Sequence, residues 1–405
     1  MAAAGVPPLS AELVSLHGAT SPVTWAGSVE QEIHSDGGVQ PWRLPRADEA
    51  LYACDGFGGP WASSGGIGPA SPEWSAHMLH DMGGMGAGMR VSFVTDSGSI
   101  EIKLAVSHVA GQVPMIDCVV DNQLLVTEHS VALVPGPESG AWSDPQTVLF
   151  TGLNYYTGSH STRVVELWLP QRYRTKVLAL RISEGASIRA HVDHRPRWIT
   201  YGSSITHCAG AFSPSRTWPA VCARAANVNL LCLGFGSNCC LDPLVAHFIA
   251  KQPADAISLK LGINMLQTHT QRTFIPSALG FILTIREGGL HAKTPIVVCS
   301  PIYSQKNEEA QPEWDGTAGV RGALTVPMIR QALERMVKTL RERGDLQIFY
   351  RDGLSIIGPT DATAAFSDDI DVHPNAAGYE LLGHRFAAAE FGNGGRLLRD
   401  RAAAL

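Results

Sequence analysis

The sequence predicts a two-part α/β architecture: a β-rich first half of sandwich or jelly-roll type, then a doubly wound parallel sheet. Three observations carry this. Short stretches of period-2 alternation, separated by turn clusters, fill the first ~190 residues. Five short apolar runs alternate with helix-like intervals after that point. The two grammars meet at His191-Val192-Asp193-His194-Arg195-Pro196, so domains 1–193 and 194–405 are expected.

In the first half, Met89–Val94, Ser99–Val106, Met115–Val120, Gln123–Val126, Arg163–Leu169 and Lys176–Ile182 read as strands. Asp96-Ser97-Gly98, Asp121-Asn122 and Pro135-Gly136-Pro137 read as the turns between them. No helical stretch interrupts the run from Met89 to Ile188, which points to a sandwich. In the second half, Arg197–Tyr201, Asn229–Phe235, Ala256–Leu261, Pro295–Cys299 and Leu346–Tyr350 read as buried strands. The clearest helix is Pro327–Arg343, with Ile329, Leu333, Met336, Val337 and Leu340 on one face. Pro327 is placed to start it and Gly344 to stop it.

Composition narrows the function classes. Of the 405 residues, 45% are hydrophobic and 17% charged, with net charge -6, which excludes a basic nucleic-acid binder, a polybasic membrane-surface protein and a disordered chain. No apolar run reaches the ~18–20 residues of a membrane span, and the N-terminus lacks the basic and apolar regions of a secretory signal. Eight cysteines without a C-x-x-C pair, two of them adjacent at Cys239-Cys240, argue against a disulfide scaffold or a zinc site. A cytoplasmic protein with reduced thiols is the simplest reading; a secreted form with its signal already removed stays open.

Ligands of open parallel sheets bind beyond the carboxyl ends of the strands. There the sequence places Gly202-Ser203-Ser204-Ile205-Thr206, Gly234-Phe235-Gly236-Ser237-Asn238 and Gly262-Ile263-Asn264. Far downstream, Asp369-Ile370-Asp371-Val372-His373-Pro374-Asn375 precedes a predicted last helix. A serine, a histidine, carboxylates and amide donors are the ingredients of acyl transfer through a serine nucleophile.

In this order the four segments resemble the motif blocks of the SGNH/GDSL hydrolase family, over roughly Arg197–Phe391. The resemblance implies a flavodoxin-like three-layer α/β/α domain. It puts Ser204 in the nucleophile position, Asn264 in the oxyanion hole with the Ser204 N–H, and His373 as general base. Ser203 stands where the family usually has Asp. The second-block glycine aligns with Ser237, and Gly236 lies one residue earlier, so either N–H is a candidate oxyanion donor. The usual acid position is Ile370; Asp371, nearest to His373, is preferred to Asp369, with a backbone carbonyl as the third option. Glu166-Leu167-Trp168-Leu169-Pro170 and Leu241-Asp242-Pro243 point to a two-domain subgroup that includes acyltransferases acting on natural-product hydroxyls.

The sequence thus points first to an esterase acting on small acyl or sugar esters, with a thioester or ester as acyl source. An acyltransferase with an alcohol acceptor is the alternative, and a binding protein on a decayed hydrolase domain the third. No cofactor is implied, nor a nucleic-acid or membrane partner. Carbohydrate binding, shaping of an acceptor pocket and homodimerisation stay open for the first domain. His207 reads as a polar helix-start residue, Cys208, Cys239 and Cys240 as inert thiols, and Trp198 and Trp218 as core. His191-Val192-Asp193-His194 resembles a metal pair only superficially, and Gly84-Met85-Gly86-Ala87-Gly88 precedes a strand and so is no dinucleotide loop.

Overall fold

A computed structural model describes residues 8–48, 78–109, 113–124, 130–138, 141–153, 161–266, 269–308, 324–367 and 372–398. The chain divides into two compact units, Met1–His194 with Ser213–Ser215, and Arg195–Phe212 with Arg216–Leu405.

Among the described residues the first unit contains twelve strands: β1 (Thr24–Ala26), β2 (Glu30–Ile33), β3 (Val39–Trp42), β4 (Arg90–Thr95), β5 (Ile100–Val106), β6 (Met115–Val120), β7 (Gln123–Leu124), β8 (Ser130–Ala132), β9 (Gln146–Phe150), β10 (Arg163–Trp168), β11 (Thr175–Ile182) and β12 (Ile188–Ala190). A helix, α1 (Met78–Gly84), precedes β4. All pairings are antiparallel, in two sheets. One runs β1-β4-β10-β6-β7, with β12 also on β4 and β8 also on β6; the other runs β2-β3-β11-β5-β9. The alternation seen in the sequence now has its cause. Val91 and Phe93 of β4, Ile102 and Leu104 of β5, Val165 and Leu167 of β10, and Val177 and Leu180 of β11 all enter one buried core. β11 carries a bulge between Val177 and Ala179, which shifts its pairing with β5 by one residue.

The second unit holds β13 (Arg197–Gly202), β14 (Asn229–Gly234), β15 (Ala256–Lys260), β16 (Ile296–Cys299) and β17 (Ile348–Arg351). Its helices are α2 (Ser204–His207), α3 (Trp218–Ala225), α4 (Pro243–Lys251), α5 (Gln271–Glu287), α6 (Gln305–Glu308), α7 (Val326–Glu342), α8 (Ala362–Ala365) and α9 (Ala376–Glu390). The strands are all parallel, in the order β14-β13-β15-β16-β17. The chain leaves the middle of the sheet for one edge at β14 and returns across β13 to β15. The crevice at the carboxyl ends of β13 and β15 is therefore the topological switch point.

Trp198, fully buried on β13, packs against Trp218 at 5.9 Å and Phe386 at 5.9 Å, so both tryptophans are core as expected. The expected helix 327–343 is α7, one residue earlier at each end. Thr325 Oγ1 caps it by accepting the Met328 N–H at 3.3 Å, and Gly344 follows in a positive-φ conformation.

Candidate active site

The carboxyl ends of the first three parallel strands are shaped by glycines that bring backbone close to backbone. β13 ends at Gly202, and the short α2 turns back over it, so that a Cβ on Gly202 would sit 2.2 Å from Thr206 Oγ1. On β14 a Cβ at Gly234 would lie 2.4 Å from the His207 backbone nitrogen, a contact no side chain tolerates. Ser203, buried at the start of α2, accepts the Ile205 N–H at 3.2 Å. A serine at this position therefore serves as a helix cap. Ser204 follows as the first helical residue and is half-buried.

Its hydroxyl oxygen lies 2.7 Å from His373 Nε2, across 169 residues of sequence. His373 is held by the entry to α9. Asn375 Oδ1 accepts the Gly378 N–H at 2.8 Å, the Asn375 N–H donates to Ala365 O at 2.8 Å, and Pro374 between them is buried. Asp369 and Asp371, the two carboxylates expected to orient the imidazole, lie outside the described residues.

Asn264 follows β15 in a single 3₁₀ turn, Ile263–Met265, entered through Gly262 at φ +111°. Its Oδ1 accepts the Cys239 N–H at 3.2 Å. Because a backbone N–H can only donate, this bond fixes the amide orientation and turns Nδ2 away from Cys239. Nothing in the sequence pairs Cys239 with Asn264; the contact arises from the loop after β14. That loop is a turn over Phe235–Asn238, closed by the Asn238 N–H on Phe235 O at 3.1 Å, with Ser237 at φ +58° in its third position. Asn238 Nδ2 also donates to Gly236 O at 2.7 Å. Among the described residues the N–H groups of Ser204, Gly236 and Ser237 donate to no protein acceptor.

The thiols support the inert reading. Cys208 and Cys239 are buried, and burial pushes both well above the ordinary thiol range, away from the thiolate. His207 is 2% exposed and closes α2. One charged residue escaped the sequence reading. Lys260, the last residue of β15, is 5% exposed, its Cβ packs beside Gly202, and burial lowers its pKa. A lysine at the end of an apolar run reads as a solvated strand terminus, and only the packing shows otherwise.

Residues 196–385 match the family model of GDSL-like lipases and acylhydrolases. No curated protein sequence matches the chain. Among solved structures, the salicylyl-acyltransferase SsfX3 from a tetracycline biosynthetic pathway is similar over 97% of both chains, at 26% identity and a TM-score of 0.75. A family two carbohydrate esterase from Cellvibrio japonicus is similar over 95% of this chain and 96% of its own, at 12% identity and a TM-score of 0.54. A family two carbohydrate esterase from Clostridium thermocellum covers 75% of this chain and 91% of its own, at 15% identity and a TM-score of 0.52. The two esterases share the fold.

Proposed function

We propose, from the match of residues 196–385 to the GDSL-like lipase/acylhydrolase family model, that the chain is a serine esterase that works through an acyl-enzyme on Ser204. The observation that carries the reading is the 2.7 Å contact between Ser204 Oγ and His373 Nε2. In this mechanism His373 Nε2 takes the hydroxyl proton as Ser204 Oγ attacks an ester or thioester carbonyl. Negative charge then develops on the carbonyl oxygen. Its donors are the Ser204 N–H, the N–H of Gly236 or Ser237, and Asn264 Nδ2, which the Cys239 bond holds facing the other way. Collapse of the tetrahedral intermediate expels the alcohol or thiol, which receives the proton from His373. Water, deprotonated by His373, releases the acid and restores Ser204. Asp371, with Asp369 as the alternative, takes the role of orienting His373 through Nδ1–H.

A second reading, acyl transfer to an alcohol acceptor, is supported by the likeness to SsfX3 over 97% of both chains. It shares every step up to the acyl-enzyme and differs only in what resolves it.

A fluorophosphonate probe tests the common core. Folded wild-type protein is expected to be labelled at Ser204, and Ser204→Ala to be unlabelled. Labelling that survives the substitution would remove Ser204 from the mechanism. Aryl acetates and acyl thioesters, each with and without small alcohols, then separate the two readings. Hydrolysis unaffected by any alcohol supports the esterase, and ester product at the expense of free acid supports transfer.

A further inference from the structure

The family reading leaves the first unit without chemistry, yet one cluster in it is built like a ligand site. Ser92 on β4 stands in register between Thr24 on β1 and Glu166 on β10. The neighbours Val91, Phe93, Val165 and Leu167 enter the sandwich core, so by strand alternation Ser92 and Glu166 face the other way. His191, just after β12, arrives over this face. Its backbone carbonyl accepts Thr24 Oγ1–H at 3.0 Å, and its Nδ1 lies 2.8 Å from Ser92 Oγ. Glu166, His191 and Asp193 each present one ligand atom here, and the three atoms lie within 4.8 Å of one another.

The three ligand atoms are close enough together to hold one cation. Ser92 is fully buried, so it is no nucleophile toward a substrate; its place is to hold the imidazole. In the tautomer with Nδ1–H donating to Ser92 Oγ, Nε2 carries the lone pair able to ligate an ion; in the other, Ser92 Oγ–H donates to Nδ1 and Nε2–H is itself a donor. A metal ion among the three ligand atoms selects the first tautomer, because only a lone pair can ligate it. A second ring nitrogen tied to a hydroxyl is also the outer-shell arrangement that fixes the tautomer of metal-bound histidines. Glu166 is 2% exposed and supported on both oxygens, by Arg90 Nε on Oε1 at 3.2 Å and by Trp168 Nε1 on Oε2 at 3.2 Å.

We propose that Glu166, His191 and Asp193 form a binding site for a divalent transition-metal ion, with zinc as the best fit. Arg90 decides the class of ion. Its guanidinium offsets one of the two carboxylate charges, which weakens the attraction for calcium or magnesium, ions that rely on several charged oxygens. One imidazole and two carboxylates instead suit a borderline ion such as zinc, at about 2.0–2.2 Å from each ligand. Tetrahedral ligands at that bond length are about 3.4 Å apart, so a small inward movement from the spacing present completes the set. The sequence reading missed the site because its third ligand, Glu166, is brought to the His191–Asp193 segment only by strand pairing.

The test uses the full chain, stripped with a chelator and titrated with zinc chloride. One zinc per chain is expected to be retained through dialysis, with a higher Tm. His191→Gln, Asp193→Asn and Glu166→Gln are each expected to weaken zinc binding at least tenfold. Asp193 is half-buried, so Asp193→Asn is the variant most certain to fold. X-ray absorption of the wild-type zinc form needs no variant: the expected shell contains nitrogen and oxygen with a single imidazole. No stoichiometric zinc, zinc retained equally by Asp193→Asn and His191→Gln, or sulfur in the shell would each overturn the proposal. The first of these outcomes would leave the cluster as a hydrogen-bonded network with no ion in it.

Discussion

The buried cluster around Arg90 in the first unit and the strand-end loops of the second partner their polar groups differently. In the sandwich Arg90 pairs with Glu166, donates to Gly88 O at 2.9 Å and stacks over Trp168 at 4.9 Å. At the carboxyl ends of the parallel sheet the N–H groups of Ser204, Gly236 and Ser237 find no protein acceptor among the described residues. Ser204 and Gly236 are half-buried and Ser237 is exposed, so these donors stand open to water or to a ligand. Around Arg90 in the first unit polar groups partner one another, whereas in the proposed mechanism the strand-end N–H groups of the second unit meet a charge that develops during reaction.

The largest expected effect lies at the strand ends. Ser204→Ala should lower kcat by on the order of 10⁶ and leave Tm nearly unchanged, as measured by ester turnover and thermal melts. Arg90→Ala should do the reverse. It strands Glu166 as a buried charge and should cost about 3–5 kcal/mol in urea unfolding, with kcat at the second unit's site preserved. If Arg90→Ala removes activity without loss of stability, the division of roles between the units is wrong.

Next come the oxyanion donors, each expected to cost about 10²–10³ in kcat. Asn264→Ala removes the side-chain donor. Gly236→Pro removes one backbone donor while keeping the turn, because proline suits the second position of a turn whose third residue, Ser237, has positive φ. A loss of that size assigns the donor to Gly236. Unchanged kcat assigns it to Ser237.

The smallest expected effect is a pH dependence of stability at His291. This ring is buried, with Nε2 near Ile249 O at 3.0 Å and Gln252 O at 2.9 Å, and burial lowers its pKa from 6.5. The unfolded chain then binds a proton more readily than the folded one. The stability that neutral His291 contributes is present above about pH 6.5 and is lost as pH falls through the lower folded value. Urea midpoints at pH 7.5 and 5.5 should fall further for wild type than for His291→Gln.

What the sequence made legible follows from the range of the forces involved. The five parallel strands were readable as apolar runs because both faces of that sheet are covered. β1, β2, β3, β8, β9 and β12 were not. Glu30–Ile33 is polar and half-exposed, Val39–Trp42 contains a proline and is buried throughout, and Ile188–Ala190 is only three residues long. Ser204, His373 and Asn264 were legible as motif residues. The bond from Cys239 to Asn264, the burial of Lys260 and the approach of Glu166 to His191 were not, because each depends on a register or a turn rather than on local spacing.

The central claim is that Ser204 carries the acyl group. The most direct test is to mix the protein with an aryl acetate, quench it with acid within the first turnover and locate the acetyl group by peptide mass spectrometry. The account predicts one acetyl per chain on the peptide containing Ser204, absent in Ser204→Ala and strongly slowed in His373→Ala. Aryl release at full rate with no acetyl on Ser204, or acetyl on another residue at the same rate, would contradict it.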